Sequence, residues 1–103
     1  MGESTHRFTG ALLREPQGGY SALCLELDVA SQGDSAEEAK SMLFEAIRLY
    51  VETAVDSGLP YLRPVPPEDD PVRTGTPDLL ETFLIRVQVN APETAREPVA
   101  QTA

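Results

Sequence analysis

A chain of 103 residues, 41% hydrophobic and 24% charged, has room for one domain with a single modest core, and no apolar run in it nears the roughly 20 residues of a membrane span. Eight basic against seventeen acidic residues leave a formal net charge of −9, a surface that repels phosphate backbones, disfavours direct nucleic-acid binding and attracts a basic protein. A polar N-terminus without a signal-peptide core, and one cysteine with no internal disulfide partner, make a reducing cytoplasm the expected setting.

Residues 1–6 are polar and read as a flexible N-terminus. Residues 7–14 alternate, with Phe8, Gly10 and Leu12 on one face, and predict a first strand. Glu15-Pro16-Gln17-Gly18-Gly19 is turn chemistry, proline fixing one φ and the glycines permitting positive φ. Residues 20–27 resume as a second strand, so a hairpin is expected, and residues 29–32 are a candidate short third strand.

A helix follows. Ser35 with Glu38 three residues on has capping-box spacing, hydroxyl and carboxylate each satisfying an orphaned backbone N–H, and Glu37 and Glu38 favour the positive end of the helix dipole. Gly58 supplies a left-handed stop and Pro60 bars continuation. Ala36, Ala39, Leu43, Ala46, Ile47, Tyr50 and Ala54 form one apolar stripe, which Met42 and Leu49 widen on one flank and Phe44, Val51 and Val55 on the other. A helix lying on a single sheet needs an apolar face of roughly 100° or somewhat more, and this one is about twice that. The excess calls for cover by the following loop, by a second copy of the chain or by a partner protein. Phe44, Val51 and Val55 are the candidate oligomer interface.

Residues 59–78 are acidic and hold six prolines, a long loop without an obvious element. Residues 79–89 return as a strand with Phe83, Ile85, Val87 and Val89 on one face. Residues 90–103 are small, polar and proline-containing, and read as a disordered tail. The expected architecture is a small α+β domain over residues 7–89, in the order β-β-β-α-β, with the helix on one face of the sheet.

Catalytic patterns are lacking: there is no metal-ligand cluster, phosphate-binding glycine loop or nucleophile elbow, and no cofactor is expected. Cys24 reads as a small buried apolar residue. Glu26 and Asp28 alternate onto one face of the predicted second strand and, with Asp34 or Glu38, form the nearest approach to a two-metal nuclease site; paired carboxylates on a strand end are more often a solvated face. Gly33 before the helix suggests anion binding, which the neighbouring Asp34, Glu37 and Glu38 oppose.

Gly19-Tyr20-Ser21-Ala22, Leu25-Glu26-Leu27, Gln32-Gly33-Asp34-Ser35, Glu37-Glu38-Ala39 and Glu45-Ala46-Ile47 together resemble the N-terminal domain of HicB-family antitoxins, over about residues 8–60. The resemblance implies a truncated ribonuclease-H-like fold without that fold's activity, binding to a small basic ribonuclease toxin of HicA type. Leu25 stands where the family commonly has proline, and Asp28-Val29 where Gly-Cys often follows. Only fourteen residues follow Val89, among them Pro92 and Pro98, which leaves no room for the DNA-binding domain usual in full antitoxins. The expectation is thus a non-enzymatic, homo-oligomeric module (dimer or tetramer) without DNA binding, its partner held by Glu26, Asp28, Asp34, Glu37 and Glu38. A metal-dependent nuclease of ribonuclease-H-like type and an orphan oligomeric scaffold are the alternatives.

Overall fold

A computed structural model describes residues 3–90. Most of the expected tail, residues 91–103, lies outside the described residues. The elements are β1 (Glu3–Arg14), β2 (Tyr20–Cys24), β3 (Val29–Gly33), α1 (Ala36–Ser57), a 3₁₀ turn (Pro67–Asp69), α2 (Pro71–Thr74) and β4 (Leu79–Asn90). The strands form one antiparallel sheet in the order β3-β2-β1-β4, and α1 packs across one face, as the β-β-β-α-β pattern predicts.

The β1–β2 hairpin turns where the sequence says it should. Gly18 and Gly19 take φ of 107° and 86°, and the Glu15 carbonyl accepts from Gly18 N at 3.0 Å. β1 starts at Glu3, four residues earlier than its alternation predicts, because β4 runs on to Asn90 and pairs with it from Glu3↔Asn90 through His6↔Val87. A distant strand supplies the ladder hydrogen bonds that make this polar stretch extended, and local composition carries no sign of it.

The second strand is shorter than expected. β2 stops at Cys24, and residues 25–28 are a turn in which Asp28 adopts φ 56° and donates its N–H to the Cys24 carbonyl at 2.9 Å. Aspartate tolerates the left-handed region better than most residues, because its short side chain hydrogen-bonds locally. Glu26 and Asp28 therefore sit in a turn rather than alternating on a strand.

The helix caps form as read. Ser35 Oγ accepts from Glu38 N at 3.0 Å, and Gly58 ends α1 at φ 68°. The Glu38 carboxylate reaches one residue past the cap, to Asp34 N at 2.7 Å. α1 buries Ala39, Leu43, Ile47 and Val51 against Phe8, Leu12, Ala22, Cys24, Ile85 and Val87 of the sheet and Leu27 of the turn, and Ala54 is buried near its C-terminal end. Gly33 lets β3 approach the first turn of α1 closely: a Cβ there would lie 2.6 Å from Ala39 N.

The long loop is more structured than its composition suggests. Asp70 caps α2 by accepting from Val72 N at 2.9 Å, and Pro71 at the first helical position is already bent for the helix. Upstream, Tyr61 sets its ring edge-on against Phe8 and His6, its hydroxyl 2.9 Å from His6 Nδ1. Arg63 N and Val65 N then donate to the carbonyls of Glu26 and Leu25, both at 2.9 Å, and Val65 and Pro71 are buried. The strap after α1 thus closes over the β2–β3 turn.

Candidate functional site

The five acidic residues singled out by the sequence divide into two groups at the two ends of β3. Glu26 and Asp28 lie in the turn before it; Asp34, Glu37 and Glu38 lie in the connection after it and in the first turn of α1. From Asp28 to Asp34 the extended backbone spans about 20 Å at roughly 3.3 Å per residue. Among the described residues no three His, Cys, Asp or Glu side chains are grouped as metal ligands would be. Carboxylates separated in this way do not converge on the pair of ions about 4 Å apart that two-metal hydrolysis uses.

Glu26 differs from the other four. Its Oε1 accepts from Thr9 N at 2.7 Å and its Oε2 from Thr9 Oγ1 at 2.8 Å, while its own carbonyl receives Arg63 N. One half-buried side chain therefore ties the β2–β3 turn to the middle of β1, and the same residue's backbone holds the strap. Asp28, Asp34, Glu37 and Glu38 are exposed. Asp34, Glu37 and Glu38 lie where the unpaired N–H groups of α1 favour negative charge, so this acidic end is stable as built.

Cys24 is fully buried on β2. Burial pushes its thiol up to about 11, and the neighbouring Glu26 carboxylate, 3.9 Å from Sγ, adds to the rise. A thiol held neutral in this way is a packing group and a poor nucleophile.

The proposed oligomer residues also separate. Val51 is 0% exposed and belongs to the core of its own chain, so it offers nothing to a second copy. Val55 is partly buried against that core, and only Phe44, at 41%, stands clear. On the opposite flank Met42 and Leu49 remain uncovered at 54% and 53%. The strap meets α1 at one end, where Tyr50 Oη donates to the Tyr61 carbonyl at 3.2 Å, and leaves these residues free.

Two positions escaped the sequence reading. Thr9 looked like one more alternating strand residue, and nothing local marks it as the anchor for Glu26. Lys40 falls inside the apolar arc of α1 by helical spacing, a signal that was present. Its ammonium lies 2.6 Å from Glu81 Oε2 and 4.9 Å from the centre of the Phe83 ring, joining α1 to β4. Phe83 in turn lies over Gly10, where a Cβ would come within 2.4 Å of the ring.

Comparison with known proteins adds one relative. Over 65 residues, 62% of this chain and 77% of the relative, the sequence is 42% identical to the UPF0150 protein ssr1765 of Synechocystis sp.. No family model matches the chain, and no solved structure matches it. No helix among the described residues is long and apolar enough to cross a membrane.

Proposed function

Since this chain belongs to the UPF0150 family, we propose that it is a HicB-like, non-enzymatic binding module that holds and masks a small basic protein, a ribonuclease toxin of HicA type. The observation that carries this reading is the placing of acid around an edge strand. β3 borders solvent, Asp28 stands exposed at one end of it, and Asp34, Glu37 and Glu38 stand exposed at the other. With the net charge of −9, that edge draws a cationic partner and holds it by two acidic anchors about 20 Å apart. Masking needs no chemistry from the module, only coverage of the partner's active surface. Binding is accordingly assigned to Asp28, Asp34, Glu37 and Glu38, whereas the Glu26 carboxylate is engaged by Thr9.

The test is co-expression with a small basic protein encoded beside this chain. The module should relieve that protein's growth arrest and co-elute with it, and the complex should weaken steeply with salt. A triple Asp28→Asn, Asp34→Lys, Glu37→Lys variant, which keeps at position 28 a residue suited to positive φ, should lose the complex while keeping its fold. Unrelieved arrest with no complex, or a complex indifferent to both salt and charge reversal, sinks the proposal.

A further inference from the structure

The other edge of the sheet has a different character. β4 spans twelve residues and, among the described residues, pairs only with β1, so its outer backbone groups face no other described strand. Such an edge is a template for another strand, and proteins that stay monomeric protect it with lysine, proline, bulges or short length. From Glu81 to Gln88 this strand has no lysine, no proline and no bulge; its one register irregularity lies earlier, where Leu12 pairs with Glu81 and Leu13 with Leu79. The outward side chains include Leu84, 60% exposed. Phe44 and Arg48 of α1 form a groove along this edge with Leu84, Arg86 and Gln88. Exposed apolar side chains beside unpaired backbone along one line are what an added strand covers.

We infer that the occupant is β4 of a second copy, paired antiparallel about Leu84 to make one continuous eight-stranded sheet. Two features of the strand favour a copy of itself over a foreign strand. Its length is matched by an identical strand, whereas the chain's other edge, β3, has only five residues. Its charges do not oppose the pairing. Glu81 would stand opposite Val87 of the copy and Arg86 opposite Thr82, so no like charges face each other across the seam. Its side chains also match about the twofold: Leu84 meets Leu84 of the copy, Thr82 meets Arg86, and on the helix-covered face Phe83 meets Ile85. The Phe83–Ile85 pairs, aromatic against β-branched, are of the kind that stabilises sheets, and a twofold axis closes the assembly at a dimer. The pairing leaves Asp28, Asp34, Glu37 and Glu38 at the far edge of each sheet half, so it stands independently of the basic partner proposed above.

The experiment uses the full chain alone. Sedimentation equilibrium should give twice the 11.2 kDa chain mass. Leu84→Lys, at an exposed position, should return it to one chain mass with unchanged far-UV circular dichroism. A Met42→Lys, Leu49→Lys double variant on the outer helix flank should remain dimeric. Should Leu84→Lys fail to fold, mild oxidation reads the register directly. Leu84→Cys should cross-link, since opposed Cβ atoms in an antiparallel pair lie about 5 Å apart. Gln88→Cys should not, since its two copies would lie about 27 Å apart. A wild-type chain that sediments as one mass overturns the inference. So does an assembly that survives Leu84→Lys, one dissolved by the helix-flank variant instead, or one that cross-links through Gln88→Cys and not through Leu84→Cys.

Discussion

Replacing Glu26 by alanine separates a structural role from a binding role at the residue where the two readings meet. The carboxylate accepts from Thr9 N at 2.7 Å and Thr9 Oγ1 at 2.8 Å, and more weakly from Cys24 Sγ at 3.9 Å. Hydrogen bonds to charged groups contribute about 1.5–3 kcal/mol each when well shielded. Glu26 and Thr9 are only half-buried, so water takes over part of the lost bonding in the variant. An expected loss of about 2 kcal/mol follows, most of it from the N–H of Thr9 left without a protein partner. In urea, a domain of this size unfolds with a slope near 1 kcal/mol/M, so the midpoint should fall by about 2 M at unchanged slope. Glu26→Gln keeps an acceptor for the N–H and a group for the hydroxyl, and should recover more than half of the loss. In a double-mutant cycle with Thr9→Val, the two residues should couple by about 1 kcal/mol. A midpoint shift below about 0.3 M for Glu26→Ala would refute the tether and return Glu26 to the solvated acidic surface.

Gly33→Ala should destabilise by about 1–3 kcal/mol, because its Cβ would lie 2.6 Å from Ala39 N and 2.9 Å from Glu38 Cβ, forcing β3 off α1. The accompanying strain falls on the Ser31 Oγ bond to the Ala39 carbonyl, at 2.6 Å, and a drop in Tm of about 4 °C or more is the expected readout. An unchanged Tm would show that the two elements separate freely. Cys24 gives a pH signature. Its folded pKa of about 11 stands above the ordinary 9.0, so the folded chain binds more protons between those values. The associated stability is complete below about pH 9 and is lost as pH rises toward about 11; Cys24→Ala should reduce that fall in the urea midpoint. An identical pH dependence in the two proteins would refute this, as would rapid thiol labelling of the folded chain.

The local devices were legible because each is a contract between neighbours in sequence. Ser35 and Glu38, Gly18-Gly19, and Gly58 with Pro60 specify a cap, a turn and a stop from a few residues, and the structure has them there. The 3.6-residue stripe likewise marked Leu43 and Ile47 as core. Alternation, by contrast, does not by itself specify a strand. Residues 25–28 continue the pattern of β2, yet they turn, because the Leu25 N–H goes to Thr9 and the carbonyls of Leu25 and Glu26 go to the strap, partners 16, 40 and 37 residues away.

The candidate site shows the same division. Sequence identified the acidic residues and their excess charge, since charge is a property of composition. Only the folded chain decided that Glu26 is committed to Thr9 while Asp28 and Asp34 stand at opposite ends of β3. It also decided that Val51 is core while Phe44 faces the β4 edge. Helical spacing fixes the angle at which a side chain leaves its own axis; which angles meet a sheet, a strap or open water depends on elements far along the chain, whose positions local periodicity does not encode.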